Sequence, residues 1–112
     1  MLFRSVGISD SSVILDQRFS ASSTSGGRNP YNGRLRNASN SWMPSNNNDA
    51  RDFLQIDLGS VYFVCGVATQ GNPSADDWTT TYKIETSLNN VNWTIYVENR
   101  VEKVTANGDL VG

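Results

Sequence analysis

The sequence contains no histidine in its 112 residues. That removes the most frequent general base and the most frequent metal ligand near neutral pH. Cysteine is almost absent as well: Cys65 stands alone, which excludes an internal disulfide and a thiolate metal site. It sits inside the apolar run Val61–Ala68, where a buried, inert thiol is expected. No Gly-x-Ser-x-Gly elbow and no phosphate loop occurs, and with histidine missing the reading is that the chain is not an enzyme and needs no cofactor. No stretch is long and apolar enough to span a bilayer as a helix. Met1–Gly7 has an apolar start but no continuous apolar core, so it reads as an N-terminal extension and not as a secretory signal. An excess of basic charge is also lacking: nine Lys and Arg face eleven Asp and Glu, for a net charge of −2. Nucleic-acid binding, which draws on a basic stripe, is therefore not expected. Arg28, Arg34, Arg36 and Arg51 form a loose cluster, read as solvated loop charges.

What is abundant is Ser, Asn and Thr. The first fifty-two residues are polar and punctuated by Gly26-Gly27, Asn29-Pro30, Asn32-Gly33 and Asn46-Asn-Asn-Asp49, a composition that favours turns over helix. Pro30 to Leu35 has room for one short helical turn. Residues 53 to 104 read differently. Leu54, Ile56 and Leu58 alternate with Gln55 and Asp57, as in a strand with one covered face. Val61 to Thr69 is apolar on both faces, as a central strand covered on both sides would be. Tyr82, Ile84 and Thr86 alternate with Lys83 and Glu85; Leu88–Val91 supplies a turn, and Trp93, Ile95 and Val97 line the returning strand. A weaker strand is expected over Val101–Val104. Short strands joined by polar loops make the chain one all-β domain, a sandwich or barrel. Leu54, Ile56, Phe63, Cys65, Val67, Ile84, Trp93 and Ile95 are the expected core, and Trp93→Ala is expected to cost about 3–5 kcal/mol through its cavity.

Three segments taken in order carry a resemblance. Trp42-Met-Pro-Ser-Asn46 with Asp52-Phe-Leu-Gln-Ile-Asp-Leu-Gly59, then Val64-Cys-Gly-Val-Ala-Thr-Gln-Gly71, then Trp78–Ser87 followed by Asn92-Trp93, resemble the discoidin family, the coagulation factor V/VIII type C domain. Phe19–Ser23 and Gly33–Leu35 match the two ends of that family's first long loop. The likeness runs from residue 8 to about residue 109, so residues 8–112 are assigned to the domain and 1–7 to the extension. It implies a jelly-roll β-sandwich, galactose-binding-domain-like, with ligand-binding loops at one end and no catalysis. It also implies an extracellular setting, in cell adhesion or recognition, even though the chain shows no signal peptide. The family's terminal cysteine pair and its last two strands are not found here. The domain is therefore expected to be C-terminally incomplete, marginally stable alone, and part of a longer protein with further domains.

The loops Ser23–Tyr31, Ser45–Arg51 and Gly71–Thr79 are the expected ligand surface. Their candidate residues are Arg28, Asn29, Tyr31, Asn47, Asp76, Asp77 and Trp78, joined by the neighbouring Trp42. Trp42 is readable as a ligand platform or as a core aromatic anchoring the loop beside Pro44, and the anchor is preferred. Asp76 and Asp77 have the chemistry for Ca²⁺, but two adjacent aspartates without further acids read as solvated, so no metal is assigned. The expected ligand is a glycan or an extracellular protein. Family members that bind anionic phospholipid supply the alternative, a peripheral membrane module. The loop tips here are polar, and one is acidic, which disfavours a phospholipid membrane as partner. Asn37-Ala-Ser39 and Asn92-Trp-Thr94 are N-glycosylation sequons.

Overall fold

A computed structural model describes residues 7–37, 39–46, 49–64, 67, 69–74, 79, 81–98, 101–102 and 105–106, with the backbone alone for 98, 101, 102, 105 and 106. The chain is all-β, with strands β1 Phe19–Ala21, β2 Leu54–Ile56, β3 Thr81–Tyr82, β4 Glu85–Thr86, β5 Thr94–Ile95, β6 Val97–Glu98, β7 Val101–Glu102 and β8 Thr105–Ala106. The described helical residues are two single 3₁₀ turns, Asp16–Arg18 and Pro30–Gly33. The second has proline at its start, where the missing N–H costs nothing. The strands form four antiparallel pairs, β1 with β2, β3 with β8, β4 with β5 and β6 with β7. Two compact units result, one made of residues 1–62 and 71–77, the other of 63–70 and 78–112.

In the first unit the register pairs Phe19 with Ile56 and Ala21 with Leu54, so the apolar alternation of both strands falls on one face. The ladder is extended at both ends, by Ser22 N–H to the Phe53 carbonyl (3.1 Å) and by Asp57 N–H to the Arg18 carbonyl (2.9 Å). Leu54 then packs against the second 3₁₀ turn. A Cβ added to Gly33 would stand 2.8 Å from Leu54 Cδ2, so the turn approaches β2 as closely as a glycine allows. The buried centre lies in the polar first half of the sequence: Ile14 is 3% and Phe19 6% exposed. Above the Phe19 ring, 4.6 Å from its centroid, lies the Arg34 guanidinium. Its fork donates to the Ile8 carbonyl (2.8 Å) and to Asp16 Oδ1 (2.6 Å). With its side chain only 10% exposed, Arg34 is a largely covered, paired cation and not a solvated loop charge.

In the second unit β4 and β5 form the expected hairpin, with Glu85 opposite Ile95 and Tyr96 N–H donating to the Ile84 carbonyl (2.8 Å). Side chains build its turn: Ser87 Oγ accepts from Asn90 N–H and Asn89 Oδ1 accepts from Val91 and Asn92 N–H, each at 2.9 Å. Asn90 adopts a left-handed φ of 61°, which asparagine tolerates better than most residues. Of the weak strand expected over 101–104, Val101–Glu102 is present as β7, paired with β6, and 103 and 104 lie outside the described residues.

Several expected core positions are not core. Residues 61–64 join no ladder, Phe63 is 93% exposed, and Val67 makes one isolated bridge. Apolar composition on both faces supplies a strand's side chains but not its flanking partners. Here the β1–β2 ladder closes at a turn in which Gly59, at φ 80°, donates to Asp57 Oδ1. Trp93 is 41% exposed and Ile95 is exposed beside it, because in the first unit and in this hairpin alike the described pairing is two strands deep. The cavity cost expected for Trp93→Ala falls accordingly. Leu54, Ile56 and Ile84 are half-buried. Cys65 lies outside the described residues.

Candidate functional site

The loops leading out of β1 and into β2 are tied together by polar groups. Ser22 and Ser23 follow β1, Asp52 precedes β2, and the antiparallel register brings them face to face. Asp52 Oδ1 accepts from both hydroxyls, Ser22 Oγ (2.6 Å) and Ser23 Oγ (3.0 Å). Each hydroxyl in turn accepts a backbone N–H, from Phe53 at 2.9 Å and from Ser45 at 3.1 Å. The carboxylate thereby orients two serines, which hold the start of β2 and the loop after Trp42. Trp42 Nε1–H donates to the Ser23 carbonyl (3.0 Å), so the indole is pinned edge-on as an anchor.

Beside this network lies an open cleft of about 380 Å³ lined by Ser22, Ser23, Ser45, Asn46, Asp49, Arg51 and Asp52. Its size is that of a small-ligand site, but its walls are hydroxyl, amide, carboxylate and guanidinium with no large apolar side chain. Arg51 grips Asp49 with two nitrogens, each at 3.0 Å. That grip, with the Arg51 backbone N–H, holds the Asp49 carboxyl below its ordinary range and raises the Arg51 guanidinium. Two acidic groups and one basic group leave the cleft with a formal surplus of one negative charge. No group of three or more potential metal ligands occurs among the described residues.

The expected site residues distribute unevenly around this cleft. Arg28 is turned inward: its guanidinium donates to the Ser41 carbonyl (3.4 Å), to Ser41 Oγ (2.6 Å) and to the Met43 sulfur. Its backbone completes the clasp, Met43 N–H reaching the Arg28 carbonyl (3.4 Å) and Ser25 N–H the Met43 carbonyl (2.8 Å). Arg28 thus holds two loops in register. Asn29 Nδ2 donates to the Tyr31 hydroxyl (2.9 Å), and the pair lies apart from the cleft lining. Asn47, Asp76, Asp77 and Trp78 lie outside the described residues. Ser22, Asp49 and Asp52, unforeseen as site residues, are cleft residues. Only the pairing of β1 with β2 brings Ser22 to Asp52, thirty residues apart, whereas Asp49 lies within the expected loop Ser45–Arg51.

Comparison with known proteins decides the lineage. The sequence profile of the F5/8 type C domain matches residues 18–111. The chain belongs to the F5/8 type C domain family. Its fold is accordingly the discoidin jelly-roll β-sandwich. It is similar to neuropilin-2 of Rattus norvegicus, 36% identical over 107 residues that cover 89% of this chain and 12% of that protein. The same identity and coverage of this chain are found with neuropilin-2 of Homo sapiens. Lactadherin of Mus musculus is 35% identical over 103 residues, 82% of this chain and 22% of that protein. The chain thus spans a small part of the length of the curated relatives it matches. Within the F5/8 type C domain, the two connections that form the cleft fall between the β1 and β2 segments that carry the family resemblance.

The acid side of the pH profile follows from this site and its neighbours. Asp10 is held down by Ser12, Asp49 by Arg51, and Asp57 by the Gly59 N–H and then Arg18. A depressed folded value stabilises above the ordinary aspartate value of about 3.9, and the gain is lost as pH falls through the folded value. With no histidine to titrate, the urea midpoint is expected to stay level between about pH 5 and 7 and to fall below about pH 4. A midpoint that rises on acidification would contradict the three assignments.

Proposed function

We propose that this F5/8 type C domain is a non-catalytic, extracellular recognition module that holds a glycan or a polar segment of an extracellular protein at its loop surface. Family membership supports a binding role, and the cleft between the Ser22–Ser23 and Ser45–Asp52 connections supports its place. One observation supports the ligand class: every residue lining the cleft carries a hydrogen-bonding side chain, matched to hydroxyls, amides or a cationic side chain. Extracellular relatives of the family support the setting. Membership alone does not remove the anionic-phospholipid reading, because the family resemblance includes phospholipid binders; the polar cleft is what favours the first reading.

The test is a glycan array and a panel of immobilised extracellular-matrix proteins, each run beside sedimentation with phosphatidylserine vesicles. Asp52→Asn and Arg51→Ala are expected to weaken the captured ligand about tenfold or more, equivalent to about 1.4 kcal/mol, with the unfolding midpoint little changed for the exposed Arg51. Salt-sensitive pelleting with the anionic vesicles, and no capture on either panel, would replace this reading with the membrane alternative.

A further inference from the structure

The two sequons differ in what the fold does with their asparagines. Asn37 is half-buried, and its amide is engaged at both ends. Its Nδ2 donates to the Asn32 carbonyl (3.1 Å), while its Oδ1 accepts from Ser39 N–H (3.1 Å), Ser39 Oγ (3.2 Å) and Asn40 N–H (3.4 Å). These bonds close the loop that follows the second 3₁₀ turn, so Asn37 is a loop-building residue.

Asn92 is the opposite case. It is exposed in the turn between β4 and β5, and the turn's geometry is set by its neighbours: Asn89 Oδ1 accepts its backbone N–H (2.9 Å). Its own side chain makes no hydrogen bond among the described residues. Thr94, the sequon hydroxyl, is exposed at the start of β5. Around it Leu88, Val91 and Trp93 are exposed, an apolar rim that the carbon faces of sugar rings can cover.

We propose that Asn92 is the acceptor of an N-linked glycan. Its Nδ2 forms a bond to C1 of an oligosaccharide carried on a lipid diphosphate. The C1–O bond to the diphosphate breaks, the lipid diphosphate leaves, and one Nδ2 proton is lost. The site presupposes the extracellular setting proposed above, so the experiment supplies translocation independently. The chain is fused behind a heterologous secretory leader and translated with microsomes, and only protease-protected chain is scored. A single endoglycosidase-sensitive mobility shift is expected. It should vanish in Asn92→Gln and Thr94→Ala and persist in Thr94→Ser, Asn37→Gln and Ser39→Ala. Protected chain without a shift, or a shift left unchanged by Asn92→Gln, overturns the site. A modified Asn92 in a domain that captures neither glycan nor protein would instead count against the recognition function alone.

Discussion

Phe19→Ala is expected to lower the unfolding free energy by about 3–5 kcal/mol, the usual range for removing a buried phenylalanine ring. Only Ile14 matches its burial among the described hydrophobic side chains, so little neighbouring mass can collapse into the space. The ring is also the surface on which Arg34 rests, and that cation's fork holds the Ile8 carbonyl and Asp16. Without the ring, a guanidinium with little access to water loses its apolar support. Because Asp16 is largely solvated, it would not be stranded as a buried charge, and the added electrostatic cost stays modest. Arg34→Lys separates the parts, keeping charge while losing the planar fork. A double-mutant cycle of Phe19→Ala with Arg34→Ala, which removes the cation, is expected to give a coupling of about 0.5–2 kcal/mol, the range of a cation–π contact. Urea unfolding measures both. A Phe19→Ala loss below about 1.5 kcal/mol would show that Phe19 is not the centre of this unit.

Trp42→Ala is expected to cost about 2–4 kcal/mol, short of a fully buried tryptophan because the residue is half-exposed. Two roles end together: the indole N–H leaves the Ser23 carbonyl, and the side chain leaves the side of Gly33. Ser23 is the hydroxyl that Asp52 orients, so the cleft wall loosens with the anchor. Trp42→Phe keeps most of the ring and removes the donor; it should cost about 0.5–1.5 kcal/mol, the net value of one hydrogen bond. Ligand capture should fall with Trp42→Ala and be largely kept with Trp42→Phe. If Trp42→Phe abolished capture while leaving stability intact, the indole would be a ligand platform and not an anchor.

Much of the architecture is local enough to be read from residue order. The strand over 54–56, the Asn-rich turn at 88–91 and the proline-started turn at 30–33 each depend on neighbours within a few positions, whereas the single strand expected over 82–86 is divided between β3, paired with β8, and β4, paired with β5. The ordered motifs around Trp42, Phe53 and Trp78 pointed to the family that the profile comparison establishes. Of the three loops expected to bind, Ser45–Arg51 contributes four residues to the cleft lining, Ser23–Tyr31 contributes Ser23 alone, and no described residue of Gly71–Thr79 lines it.

What tertiary structure alone decided is which side chains within those segments meet. Phe19 stands between Arg18 and Ser20 with no periodicity to mark it, and it faces Ile56 because β1 pairs with β2 some thirty-five residues later; Ile14 is the buried member of the run Val13-Ile14-Leu15, whose two flanking side chains are exposed. The same pairing turns Ser22, Ser23 and Asp52 into one network, and it leaves Arg28 holding loops together where an exposed ligand contact was expected. In the opposite sense, the apolar run from Val61 looked like a core strand but joins no ladder over its first four residues. Hydrophobic composition records only a residue's preference for burial. Whether that preference is met depends on a partner strand, which is a long-range contact that no local pattern encodes.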